Sequence, residues 1–112
     1  MNRRVVLKPT VRSGHILSAA VNIIKTQGWG GLTRGRIANE AGCAVGTVNN
    51  VFTDMGNLRN ELMNHVIQLI ETGDHCDELV LVVAAGLGRG DENAKRAPRM
   101  VKDLALLMMG RD

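Results

Sequence analysis

A short spacing near the middle of the chain restricts the fold more than any other feature. Ala38 is followed four residues later by Gly42, and Val48 comes six residues after that glycine. A small residue lets two helices cross closely, and a glycine accepts the positive φ of a sharp turn. An aliphatic residue on the second helix can then pack back onto the first. The spacing therefore predicts a helix-turn-helix.

The composition predicts that the rest of the core is helical as well. The chain has 112 residues, of which 45% are hydrophobic but only 2% are aromatic. Its length suits one domain, or one small domain with an appendage. A core with so few rings must be built from Leu, Val, Ile, Ala and Met, which favours packed helices. We therefore expect an all-α fold.

Apolar residues at helical spacing, together with capping residues, place the first four helices. Thr33 and Asp54 are suitable N-cap residues, and Gly28 is a suitable helix end. We expect helices over residues 11–27, 34–41 and 45–52, and a fourth that begins after Asp54 and buries Leu58, Leu62, Val66 and Leu69.

The remaining residues are less regular. Residues 78–87 include the run LVLVVAA, which is apolar on every face, so periodicity alone does not separate a buried helix from a strand. We favour a helix because the chain offers no second strand to pair with it. Gly86, Gly88 and Gly90 suggest a break, and Pro98 suits the first turn of a last helix over 98–109. We divide the chain into a head, residues 1–54, with a basic N-terminal arm, and a connecting and C-terminal helical region, residues 55–112.

Positive charge is concentrated in the part of the chain that contains the helix-turn-helix. Residues 1–65 hold eight basic and three acidic side chains, whereas residues 66–112 hold six basic and eight acidic ones. The first part is thus +5 and the second −2. Binding to phosphates requires such a field, although a chance asymmetry on a solvated surface is the alternative.

The chain lacks the residues that several functional classes require. Cys43 and Cys76 form no CxxC pair, and the N-terminal apolar run is too short for a signal peptide, so we expect a cytoplasmic, nucleoid-associated protein without a membrane span. His75 and Cys76 are of residue types that bind metals, but adjacent side chains on a helix point apart and the chain offers no second pair of ligands. Gly86, Gly88 and Gly90 resemble the spacing of a nucleotide-binding loop, but the lysine of such a loop and its strand–helix context are missing. We expect no catalytic residues, no metal and no cofactor.

Residues 15–62 resemble the N-terminal DNA-binding domain of the tetracycline-repressor (TetR) family. The landmarks occur in order: Ile16-Leu17 and Ala20, Gly28-Trp29, Leu32-Thr33, Ile37-Ala38, Glu40-Ala41-Gly42, Gly46-Thr47-Val48, Phe52, and Asp54 with Leu58. The resemblance implies a TetR-like, homeodomain-like head followed by two to three dimerisation helices. It also implies a transcription regulator, most often a repressor, that binds a palindromic operator in double-stranded DNA as a homodimer.

The chain departs from the family pattern at several positions. The family usually has Ser and a basic residue where this chain has Ala44 and Val45, Tyr at Asn49 and Val51, and Lys at Met55. Part of the usual phosphate clamp is therefore missing. The C-terminal part is also far shorter than the family's ligand-binding domain, so we expect no drug-sized pocket and no small-molecule inducer.

The candidate DNA contacts follow from placing the third helix in the major groove. An asparagine amide can bond adenine N6 and N7 together, and apolar side chains can contact a thymine methyl. Indifferent surface residues are the alternative at each position. The expected base contacts are Ala44, Val45, Thr47, Asn49 and Asn50; the expected phosphate contacts are Thr33, Arg34, Arg36 and Asn57; Arg3 and Arg4 form the arm.

The last helices have more apolar surface than one short chain is expected to bury, which predicts a dimer. Two such helices from each subunit would make a four-helix bundle. A monomer whose tail folds back on its own head is the alternative. The expected interface residues are Leu79, Val82, Val83, Leu104, Leu107 and Met108.

Two other functions are compatible with the same residues. One is an architectural or accessory DNA-binding protein of a mobile element. The other is an interaction module that pairs with a longer relative without binding DNA itself.

Overall fold

Every regular element in the part of the chain that the structure describes is a helix. A computed structural model describes residues 9–110, with side chains from residue 12 onward. The helices are α1 (Pro9–Gln27), α2 (Arg34–Ala41), α3 (Val45–Val51), α4 (Met55–Glu71), α5 (Asp77–Arg89), α6 (Glu92–Lys95) and α7 (Arg99–Met109), with a 3₁₀ turn at Trp29–Gly31 between α1 and α2. The expectation of an all-α fold is confirmed.

The helix-turn-helix forms where the spacing predicts it. Gly42 ends α2 in the left-handed conformation, with φ at 72°. Its neighbour Cys43 donates its backbone N–H to the Ala38 carbonyl at 3.0 Å, which closes the turn. Ala38 and Val48 are both buried, at 2% and 0% exposure. The small residue, the turn glycine and the returning aliphatic residue thus have the roles that the sequence indicates.

The glycine-rich stretch at the end of α5 differs from the expected break. The helix continues through Gly86 and Gly88 and ends at Gly90, where φ is 79°. A Cβ on Gly86 would lie 2.7 Å from the Met63 Cε and 3.1 Å from the Ala94 Cβ. Gly86 is therefore a close-packing position inside a helix. The short α6 is an element that the sequence pattern does not predict; the Asp91 carboxylate caps it by accepting the N–H groups of Asn93 and Ala94.

Helix α4 joins the head to the C-terminal helices. It contacts α1 and also α5, α6 and α7. Its apolar stripe of Leu58, Leu62, Val66 and Ile70 is fully buried. Residues on both sides of position 54 consequently belong to one hydrophobic core.

The structure corrects half of the expected dimer interface. Leu79, Val82 and Val83 are 0%, 5% and 0% exposed within the single chain. The predicted interface assumes that the apolar side chains of α5 remain exposed in a single chain. In the structure α1, α4 and α7 all pack against this helix. Leu104 and Met108 are half-buried against the same core, whereas Leu107 is 67% exposed.

An ion pair fixes the end of α1 to the loop before α5. The Lys25 Nζ lies 2.7 Å from the Asp74 Oδ2. This bond raises the pKa of Lys25 and lowers the pKa of Asp74. Because both side chains are about one-third exposed, we assign the pair a role in placing the loop rather than a large share of stability.

We predict that Gly42→Ala destabilises the fold and that Gly88→Ala does not. An alanine in the left-handed region costs about 1–2 kcal/mol. Gly88 lies inside α5, and a Cβ on it would meet no atom within 4 Å. Alanine there should therefore stabilise the helix by about 0.5–1 kcal/mol. Urea unfolding of both variants measures the difference. Equal free energies of unfolding would contradict the assigned role of the turn.

Candidate nucleic-acid interface

Helix α3 buries one residue and presents most of its surface to solvent. Only Val48 is buried in this two-turn helix. Ala44, Val45, Gly46 and Asn50 are exposed, and Thr47 and Asn49 are half-buried. The five expected base-contact residues thus lie on or beside the accessible side of one short helix.

Two residues expected to contact DNA separately are bonded to each other. The Arg34 Nη1 donates to the Asn49 Oδ1 at 2.9 Å, and the Arg34 Nη2 reaches the Thr53 carbonyl oxygen at 3.4 Å. Arg34 therefore connects the start of α2 to α3 and to the turn that follows it. This bond engages one lone pair of the Asn49 amide oxygen, whereas the amide NH₂ group has no partner among the described residues.

Asn50, unlike Asn49, makes no side-chain hydrogen bond to another described residue. Its side chain is exposed. The whole amide is consequently available to a partner. Of the two neighbouring asparagines, Asn50 is the one whose geometry suits direct reading of a base.

Among the remaining expected phosphate contacts, the side chains of Thr33 and Arg36 have local roles in the fold. The Thr33 Oγ1 accepts the Arg36 N–H at 3.1 Å and so caps α2. The Arg36 Nη1 donates to the Gln27 Oε1 at 2.9 Å and to the Gly31 carbonyl at 3.3 Å. Arg36 therefore stabilises the connection between α1 and α2. Asn57 donates its backbone N–H to the Asp54 Oδ1 at 2.7 Å, and its side chain is exposed.

The first turns of α1 add two residues that sequence reasoning missed. Arg12 and His15 line a cavity of about 270 Å³ together with Ile16, Ala41, Cys43 and Thr47. The cavity lies where α1 meets the helix-turn-helix, so a guanidinium and an imidazole stand beside α3. The sequence contains a signal for them: Arg12 and His15 are three residues apart on a helix, and Ile16 marks the side that packs inward.

A Cβ on Gly46 would meet no atom within 4 Å, so no neighbouring helix in the described part of the chain requires a glycine there. Arg3 and Arg4 lie outside the described residues.

The described residues give two further results. Across residues 9–110, no helix combines the length and the apolar character that crossing a membrane requires. In the same part of the chain, no three His, Cys, Asp or Glu side chains are grouped so that they could hold a metal ion.

Comparisons with known proteins leave the resemblance to TetR-type heads without independent support. No protein-family model matches the chain, and neither the curated proteins nor the solved structures give a match.

We predict that Arg34 and Asn49 are energetically coupled. Replacing each by alanine, singly and together, should reveal an interaction free energy of about 1 kcal/mol in the double-mutant cycle, since the two side chains share a bond that is partly shielded from water. Thermal or urea unfolding supplies the four free energies.

The matched control cycle pairs Asn49→Ala with Arg36→Ala. These two side chains share no bond, so their effects should add to within about 0.5 kcal/mol. Additive behaviour in the Arg34 cycle would show that this bond does not hold α2 and α3 together.

Proposed function

We propose that the chain is a sequence-specific DNA-binding transcription regulator that places α3 in the major groove. The observation that carries the proposal is the exposed side of α3, where the Asn50 amide has no partner among the described residues. The turn and the helix crossing of this unit are fixed by Gly42 and Ala38. Residues 41–53 contain no acidic side chain that would repel phosphates. The resemblance to TetR-type heads points to the same placement.

The residues of this surface divide into reading and supporting roles. In the proposal, Asn50 bonds an adenine edge, and Ala44 and Val45 contact thymine methyl groups. Arg34 contacts a phosphate through the guanidinium N–H groups that its two internal bonds leave over. Asn49 holds that guanidinium in place, so it acts on DNA through Arg34.

A nearby cation supports the same orientation. Arg12 stands beside α3, together with the His15 imidazole. Glu40 is the acidic residue of α2, and its carboxylate accepts a hydrogen bond from the Asn22 Nδ2 at 3.4 Å. Phosphate contacts from Arg12 and Arg34 would make the affinity depend on salt.

We further propose that a homodimer forms through the outer face of α7, defined here as Met100, Leu106, Leu107 and Met109. Four of the six large apolar side chains that the described residues expose belong to this face. A monomeric helix-turn-helix reads one half-site, and a two-fold axis would supply the second. This face replaces the buried residues of α5 as the proposed interface and retains Leu107 from the residues that the sequence predicts.

The first test of DNA reading selects bound sequences from a random duplex pool and then compares variants on the selected site. Asn50→Ala should cost about 1–3 kcal/mol on that site and leave non-specific binding nearly unchanged. Asn64→Ala, an exposed asparagine on α4, is the matched control and should bind like the wild type.

Failure of the pool to converge on any sequence would overturn sequence-specific reading. Binding of all duplexes with equal affinity would favour the architectural alternative. No binding even at low salt would favour the interaction module.

The second test concerns the proposed dimer. Leu107→Glu should give monomers, since a charge buried in an apolar interface without a partner is strongly unfavourable. Because Leu107 is 67% exposed in the single chain, its replacement should leave the helical circular dichroism unchanged. Sedimentation measures the mass, and Asn64→Glu adds the same charge away from α7. A wild-type monomer at micromolar concentration would contradict the proposed interface.

A further inference from the structure

A second cavity lies outside the surface proposed for DNA. It has a volume of about 350 Å³ and is lined by Trp29, Gly56, Arg59, Asn60, Met63, Arg89 and Asp91. This volume falls within the range of about 300–1,000 Å³ typical of small-molecule sites. The expectation that the short C-terminal part leaves no such space is corrected, because the walls come from the α1–α2 connection and α4 as well as from the end of α5.

The cavity combines two guanidinium groups with one carboxylate. Arg59 reaches it from α4 and has no bonding partner among the described residues. Arg89 reaches it from α5, and its Nη2 is 3.9 Å from the Asp91 Oδ2. The other oxygen of Asp91 accepts two backbone N–H groups. The site therefore has an excess of positive charge and uncommitted N–H donors.

The indole ring of Trp29 and the side chain of Met63 form the apolar part of the wall. The Arg89 Cζ lies 5.9 Å from the centroid of the Trp29 ring, which is the outer limit of a cation–π contact. Its ion pair with Asp91 is also long, and the Arg89 side chain is 51% exposed. Since neither contact holds the guanidinium tightly, Arg89 can turn towards an anion without losing a strong bond.

The two sides of the cavity point to one class of ligand. Planar guanidinium forks match a carboxylate, which they bond with good geometry. A flat apolar ring can stack against an indole. We propose that this cavity binds a small aromatic carboxylate, with its carboxylate between Arg59 and Arg89 and its ring against Trp29.

This proposal is independent of DNA binding. The ligand would touch the α1–α2 connection, the first turns of α4 and the turn between α5 and α6. Binding only to the folded chain would stabilise it increasingly as the ligand concentration rises. The site can therefore be tested by direct binding and by thermal unfolding, whatever α3 does.

Trp29 provides the readout, because it is the single tryptophan of the chain. The experiment titrates benzoate into the full chain while its tryptophan fluorescence and melting temperature are followed. We expect a saturable fluorescence change and a rising melting temperature with benzoate. Benzamide, which has the same ring without the charge, should bind at least about tenfold more weakly, because it loses charge-assisted bonds. Inorganic phosphate, an anion without a ring, should also bind more weakly than benzoate.

Arginine variants test the anion contacts. Arg59→Gln and Arg89→Gln should each raise the benzoate dissociation constant by at least about tenfold. Arg99→Gln is the matched control, since Arg99 lies on α7 and does not line the cavity. Arg59 has no partner to lose in the part of the chain that the structure describes, so its variant should remain folded even if Arg89→Gln does not.

Four results would overturn the proposal: no saturable response to benzoate, equal binding of benzamide, equal binding of phosphate, or unchanged affinity in Arg59→Gln.

Discussion

The buried stripe on α4 is the contact on which the rest of the structure depends. Leu58, Leu62, Val66 and Ile70 are each 0% exposed, and they recur every four residues along one helix. Their helix contacts α1, which packs against α2 and α3, and it also contacts α5, α6 and α7. The helix-turn-helix and the C-terminal helices are therefore connected through one helix whose buried side belongs to the common core.

The features that the sequence predicts well have local causes. A left-handed glycine at Gly42, a hydroxyl cap at Thr33 and a carboxylate cap at Asp54 each act within a few residues. Their patterns therefore specify α2, α3 and the start of α4 without knowledge of distant contacts. The fold class follows for a related reason, because a core with very few aromatic rings is readily built from amphipathic helices.

The features that the sequence does not predict depend on distant packing. The apolar character of α5 on every face suggests a surface for a partner, but Leu79, Val82 and Val83 are buried within the chain, where α1, α4 and α7 pack against the helix, and Leu81 is 49% exposed. The bond between Arg34 and Asn49 joins residues fifteen positions apart on different helices, so no spacing rule indicates it. The cavity beside Trp29 needs three separate segments to meet. These contacts change the roles assigned to individual residues more than they change the architecture.

The central claim is that the exposed side of α3 is the DNA-reading surface. Titrating the isotopically labelled full chain with its selected duplex and following backbone amide shifts by NMR tests this claim directly. We predict the largest shifts at Ala44, Val45 and Asn50, smaller ones at Arg34 and Arg12, and little change at Leu79 and Val83 inside the core. Shifts centred on α5 to α7, with α3 unaffected, would contradict it.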